Sequence, residues 1–138
     1  RYAARDIEWN YRETSIPFDE VVLECEVATT EGSEQEIRRA MQKSQERRRI
    51  TQPLGLPSCG SVFRNPEGES VGRLIENVGL KGALCGGAQI SERHANFIVN
   101  KGGAKAVEVL SLIHAASDAV AERYGVELVP EVRFLGFE

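Results

Sequence analysis

Three short stretches of the chain gather side chains able to do chemistry. In "PSCGSVFRNPEG", residues 57–68, Ser61 follows Gly60, and Arg64 and Asn65 come three and four residues later. Gly60 permits a close backbone approach or a positive φ, and Pro57 and Pro66 stiffen the flanks. A guanidinium and a carboxamide beside glycine-freed amides suit a phosphate or pyrophosphate. A hairpin with a solvated arginine has the same composition, so this motif alone leaves both open. In "EVRF", residues 131–134, Glu131 and Arg133 stand two apart, on one face of a strand. They read either as an acid and a cation lining one pocket or as a cross-strand salt bridge. In "YRETS", residues 11–15, Arg12 lies beside Tyr11 and near Trp9, where its cation can stack on a ring. Of the two histidines, His114 falls within a helical pattern, and His94, in "SERHANF", has the better claim to face a site. No Ser–His–Asp order, HExxH or P-loop is present.

These residues must be positioned by a chain of 138 residues, enough for one medium domain or two small ones. With 41% apolar and 28% charged residues, the composition is that of an ordinary globular protein. A net charge of −4 argues against nonspecific nucleic-acid binding, which needs a clustered basic excess. No apolar run approaches the ~18 residues of a membrane span. The opening "RYAARDIEWNYRE" has neither a signal-peptide core nor an initiator Met, which suggests a piece of a longer protein. Cys25, Cys59 and Cys85 show no CxxC pair and no metal spacing, and read as reduced thiols.

The elements follow from periodicity. "EVVLECEVATT", residues 20–30, alternates with Val21, Leu23, Cys25 and Val27 on one side, and predicts a half-buried strand. Ser33 with Glu36 forms a capping-box pattern, so a helix should run from about Glu34 to Arg49, with Pro53 ending any continuation. A short strand is expected at Ser61–Phe63, then a short helix capped by Ser70, burying Leu74, Ile75 and Val78, and closed by Gly79. "ANFIVN", 95–100, reads as a strand. The strongest helix follows, with Val107, Leu110, Ile113, Val120 and Tyr124 near one face and Gly125 at its end. "VELVPEVRFLGF", 126–137, reads as a closing strand that Pro130 confines to an edge or a bulge. The order predicts an α+β fold, a mixed sheet of short strands with helices packed on one side.

"QPLGLPSCGSVFRNP", "LIENVGLKG", "GGAQISERHANFIVN" and "PEVRFLG", in this order and spacing, resemble the C-terminal half of the UDP-N-acetylenolpyruvoylglucosamine reductase (UDP-N-acetylmuramate dehydrogenase) family. "YRETS" resembles the YRxS element that closes the family's flavin-binding domain. The resemblance implies a cytoplasmic or plastid flavoprotein of peptidoglycan synthesis, and so of cell shape and division. Its cofactor would be FAD and its electron donor NADPH. It would reduce the enolpyruvyl ether of a UDP-sugar to the lactyl ether of UDP-N-acetylmuramate. Residues 1–30 would be the tail of the FAD-binding domain and 31–138 the substrate-binding domain. FAD would be held mainly by a domain N-terminal to Arg1.

Residue by residue, the resemblance makes Ser61 the proton donor, Glu131 its acidic partner and Arg12 the catalytic arginine. Arg64 and Asn65 would face the UDP diphosphate, Tyr11 would contact substrate and Arg133 the cofactor. The chemistry suits these types. Hydride from the reduced flavin would reach the terminal carbon of the double bond, and charge would develop at the carbon bearing the carboxylate. Arg12 can neutralise that charge, a protonated Glu131 can hydrogen-bond it, and a placed hydroxyl can deliver the proton. The alternative is a non-catalytic nucleotide-sugar binding module of the same fold, in which these three residues are idle.

Overall fold

The computed structural model describes residues 1–136 and divides the chain into two units, Arg1–Ser33 and Glu34–Glu138. The N-terminal unit is a short 3-10 turn, Ala4–Asp6, followed by a hairpin of β1 (Trp9–Asn10) and β2 (Glu13–Thr14). Within it the Trp9 indole donates to the Ala4 carbonyl at 3.2 Å, and the Tyr2 hydroxyl to Glu20 at 2.7 Å. The strand expected over 20–30 does not form. Val21, Leu23 and Val27 are 79%, 92% and 73% exposed. Alternation makes an apolar face but no ladder, and among the described residues no segment pairs with this one. A strand without a neighbour leaves its amides and carbonyls to water.

In the C-terminal unit, α1 (Glu34–Thr51) starts where Ser33 predicts and runs two residues beyond Arg49. Pro53 lies just past its end. No residue of α1 is buried, and Ile37 and Met41 remain more than half exposed. At its end, where carbonyls lack a partner within the helix, the Arg93 guanidinium donates to the carbonyls of Arg49 (3.0 Å) and of Gln52 just beyond (3.3 Å).

The sheet contains β3 (Ser58–Ser61), β4 (Leu84–Cys85), β5 (Ala88–Ile90) and β6 (Phe97–Asn100), in the order β3-β6-β5-β4. The fold is α+β, as expected, but every pairing is antiparallel rather than mixed. Two of the links are short, the pair Gly86–Gly87 between β4 and β5 and residues 91–96 between β5 and β6, and short links return a strand beside its predecessor in the opposite direction. One sheet face carries Ala88, Ile90 and Ile98 into the core, against α2 (Val71–Asn77) and α3 (Ala106–Tyr124). Gln89 and Val99, on the other face, line a cavity of about 420 Å³ under the loop at Pro53–Leu56.

The buried stripe of α3 is Leu112, Ile113, Ala116 and Val120, with Val109 packed beside it. Ile113 and Val120 belong to it as expected, but Val107 is 58% exposed. Six residues separate Val107 from Ile113, a rotation that turns it about 120° off the core. His114 is exposed on the outer face, as its place in the helix pattern predicts.

At its start, α3 is tied to the β4–β5 turn. Glu108 accepts from the Lys105 amide at 2.9 Å and the Gly87 amide at 3.0 Å. Those two bonds hold its carboxyl below the ordinary carboxylate value. A Cβ on Gly87 would lie 2.5 Å from the Gly102 carbonyl oxygen and 2.7 Å from the Ala104 nitrogen, both backbone atoms. Gly87→Ala should therefore cost about 1–3 kcal/mol, the range for overpacking, and lower the melting temperature by ~5 °C or more. Gly55→Ala, with nothing within 4 Å of its Cβ, serves as the control. Equal melting temperatures for the two variants would refute the close-approach account.

Candidate functional site

Ser61 owes its place to an irregularity. Ser58 pairs with Val99, but Ser61 pairs with Phe97, so β3 carries one more residue than β6 across the same span. Gly60 adopts φ +84° within this bulge, a conformation open to glycine without cost. Bulges of this kind re-aim the side chain that follows, and here that residue is Ser61, half-buried at the end of β3.

Beyond Ser61 the strand is held by a single residue of the opposite loop. The Asn96 carbonyl accepts from the Val62 amide at 2.9 Å. Its side chain accepts from the Phe63 amide at 2.9 Å and donates to the Phe63 carbonyl at 2.8 Å. Asn96, Val62 and Phe63 are 3%, 1% and 2% exposed, so water cannot replace these bonds. The strand expected over 95–100 includes Asn96, but β6 begins at Phe97 and Asn96 lies in the link before it. The signal was an asparagine beside apolar residues, a type whose carboxamide satisfies backbone groups.

The other edge of this segment meets the C-terminal stretch. Arg64 donates its amide to the Val129 carbonyl at 2.9 Å, and the Glu131 amide donates to the Val62 carbonyl at 2.8 Å. Phe63 and Pro130 face each other at the site between these bonds. No amide is required there, so proline is tolerated at the position it was expected to restrict. The closing strand itself is reduced to this one bridge. From 131 to 136 no strand forms, and Phe137 lies outside the described residues.

The structure thus brings Ser61, Arg64 and Glu131 onto adjoining backbone, all half-buried. Asn65 is exposed and its Oδ1 accepts from the Val71 amide at 3.1 Å, capping α2. Ser70, expected to cap that helix, occupies the N-cap position without a side-chain bond. Asn65 Nδ2 carries the donor end of the carboxamide. Arg133 is exposed, and since no strand forms there it does not share a strand face with Glu131.

Arg12 and Tyr11 lie in the N-terminal unit as the two-residue turn between β1 and β2. The Arg12 guanidinium carbon stands 5.3 Å from the Tyr11 ring centroid, as their adjacency suggested. Arg12 has φ +65°, the one non-glycine positive value among the described residues. That region costs a side-chain-bearing residue roughly 1–2 kcal/mol, and such strain tends to collect at functional sites.

His94 packs inward. Its Nδ1 accepts from the Asn96 amide at 3.2 Å, and its ring meets Phe97 edge-on at 5.1 Å. A Cβ on Gly72 would lie 2.9 Å from its Cε1, so α2 can sit against the ring only as glycine. Burial pushes the imidazole below its ordinary value, a backbone hydrogen bond offsets part of this, and nearby Lys81 adds to the lowering. The ring supports the Asn96 loop. Arg93, next to it, clamps the end of α1 and was not singled out from the sequence.

Residues 52–135 match the family described as UDP-N-acetylenolpyruvoylglucosamine reductase, C-terminal domain. The UDP-N-acetylenolpyruvoylglucosamine reductase of Alkalilimnicola ehrlichii is 46% identical over 136 residues, covering 99% of this chain and 46% of the relative. That of Halalkalibacterium halodurans is 48% identical over 118 residues, 86% of this chain and 39% of the relative. A crystal structure of UDP-N-acetylenolpyruvylglucosamine reductase (MurB) from Thermus caldophilus superposes with a TM-score of 0.76 at 37% identity, covering 95% of this chain and 47% of that one. The chain spans under half the length of the curated relatives it matches.

The packing of His94 predicts an acid-labile fold. Its folded pKa lies below the ordinary 6.5, so the unfolded state binds the proton more readily. The contribution is present above 6.5 and fades as pH falls through that value toward the folded pKa. Protonation also turns Nδ1 from acceptor to donor against the Asn96 amide. Thermal melts of wild type and His94→Gln between pH 8 and pH 5 should converge as the pH falls. Parallel curves would remove His94 from the acid sensitivity.

Proposed function

The chain belongs to the UDP-N-acetylenolpyruvoylglucosamine reductase family, and on that premise we propose that it forms the C-terminal portion of a cytoplasmic, NADPH-driven and FAD-dependent reductase. Residues 1–30 would close the flavin-binding domain and residues 31–138 would bind substrate. The reaction converts the enolpyruvyl ether of UDP-N-acetylglucosamine to the lactyl ether of UDP-N-acetylmuramate, a step of cell-wall peptidoglycan synthesis. One observation supports this reading most strongly. Ser61 and Glu131 come from distant parts of the sequence, yet the Glu131 amide bonds the Val62 carbonyl at 2.8 Å, one residue from Ser61.

The described residues do not by themselves fit a flavin. No residue of 1–33 is buried, and the stretch before Gly32 has no glycine to admit a pyrophosphate. No step is therefore assigned to a flavin held by this chain. Its own residues act on the substrate. Reduction adds a hydride equivalent to the terminal enolpyruvyl carbon and a proton to the carbon bearing the carboxylate. Negative charge builds on that second carbon and its carboxylate. Arg12 supplies the cation that neutralises it, and Glu131 stabilises it by donating a hydrogen bond. The Ser61 hydroxyl delivers the proton and regains one from solvent. Asn65, by Nδ2, and Arg64 bind the diphosphate, with Tyr11 against the substrate. Arg133 is assigned to the cofactor side.

Two measurements test this. FAD added to the 138-residue chain should be lost on desalting, and a retained stoichiometric visible band would contradict the cradle argument. In the full-length reductase, Ser61→Ala should leave NADPH consumption in the first half-reaction unchanged. It should slow the half-reaction that consumes the enolpyruvyl sugar by about 10²–10⁴-fold, the usual loss on removing a general acid. Stopped-flow traces of each half separate the two. An unchanged second half would take Ser61 out of the chemistry and favour the binding-module reading.

A further inference from the structure

We propose that Asn96 is a positioning residue for the reductive step, fixing Ser61 and Arg64 through the peptide groups of Val62 and Phe63. This role rests on the reductase reading above. Ser61 and Arg64 flank a two-residue segment, and Asn96 bonds three of its backbone groups: the Val62 amide, the Phe63 amide and the Phe63 carbonyl. The bulge at Gly60 has already broken the regular register of β3 with β6 at that point. A carboxamide takes over where the backbone ladder stops. It matches a peptide group in shape, with one acceptor and donors on the same plane, so it can complete both Phe63 bonds at once.

The position of Asn96 is itself fixed from the far side. Its amide donates to His94 Nδ1, and His94 is wedged between Gly72 of α2 and the Phe97 ring. A proton donor must meet its carbon within a few tenths of an ångström. A displacement of about 1 Å at such a group costs on the order of 100-fold in rate. Val62 and Phe63 are anchored in the core by their side chains. Losing the two carboxamide bonds, while the Asn96 main-chain carbonyl keeps the Val62 amide, therefore does not release the segment from the fold. It lets the peptide planes rotate, and with them the Cα–Cβ directions of Ser61 and Arg64.

The test uses the full-length reductase with Asn96→Leu and Asn96→Asp. Amide hydrogen exchange is read at Val62, Phe63 and Arg64, and the two half-reactions are timed separately. Asn96→Leu should speed exchange at Phe63 at least tenfold. It should slow the enolpyruvyl half-reaction by about 10–100-fold while NADPH consumption stays at the wild-type rate. Asn96→Asp keeps an acceptor for the Phe63 amide but sets an oxygen against the Phe63 carbonyl. Its deficit should shrink as the pH falls, because the neutral acid restores a donor there. Unchanged exchange at Phe63 would overturn the proposal, as would faster exchange with an unchanged second half-reaction. Equal slowing of both halves would reduce Asn96 to a general stabiliser and overturn it too. A wild-type protein that consumes NADPH but never the enolpyruvyl sugar would overturn the reductase reading and this role with it. The exchange data tell that failure from the others.

Discussion

The geometry around Ser61 depends on how three buried backbone groups are satisfied. The Val62 amide and both polar groups of Phe63 are cut off from water, and each would cost about 1–3 kcal/mol if left unpaired. β6 could satisfy them only by continuing the ladder in register, which the bulge at Gly60 prevents. Asn96 resolves the conflict with its own carbonyl and carboxamide. Because the bulge and the clamp occur together, the strand can change direction at Ser61 and still stay rigid. The other edge of the segment is left to residues 129–131, where the Arg64 amide bonds the Val129 carbonyl and the Glu131 amide bonds the Val62 carbonyl.

This arrangement needs a sheet whose two faces are treated differently. Ala88, Ile90 and Ile98 are packed by α2 and α3, and that contact fixes the level of β5 and β6. Gly87 and Glu108 fix the same level from the turn, since the approach of 102–104 leaves no room for a Cβ. Asn96 sits at the head of β6, so whatever holds β6 also holds the clamp. The loop Pro53–Leu56 covers the opposite face at Val99, and Arg93 joins its neighbouring helix end to the link before β6. Core packing and site geometry are thus joined at the 91–96 link.

The sequence was most legible where period and punctuation agreed. α1 begins behind Ser33, α2 ends before Gly79 and α3 before Gly125, and each boundary reads directly from capping types. It was least legible where the signal was two or three residues long. β4 and β5 went unseen although Gly86–Gly87 between "ALC" and "AQI" is a hairpin pattern. The phase of α3 slipped at Val107 because its first turn offers apolar residues on more than one side. The strand expected over 20–30 shows the opposite failure, in which alternation was present and a pairing partner was not. Ser61, Arg64, Asn65 and Glu131 stand out in the sequence as types that carry chemistry, and the structure brings Ser61, Arg64 and Glu131 onto adjoining backbone. Their supports are harder to read, because Asn96 and Arg93 act on backbone carbonyls and amides of distant segments, and an asparagine beside apolar residues does not say which segment it serves.

On the proposed roles Ser61 is the proton donor, and because serine is a weak acid the reason to place it on a clamped strand is geometric. A stronger acid on a mobile loop transfers its proton readily from many positions. A weak one succeeds only near the optimal distance and line of approach, where the developing charge on its target offsets the cost of ionising the hydroxyl. It also needs that geometry to persist while charge builds, without neighbouring dipoles relaxing to follow it. Both requirements favour a residue whose backbone has no freedom to move. Ser61 meets them through a bulge that sets its direction, an asparagine that fixes the next two peptides, and a bonded strand segment that brings Glu131 to the same place. In the N-terminal unit, Arg12 has a different kind of constraint: a left-handed turn conformation between two-residue strands, stacked on Tyr11. A long cation needs less positional accuracy than a short hydroxyl, because its field falls off slowly with distance while proton transfer does not. On the proposed roles the more exacting task falls to the more rigid element.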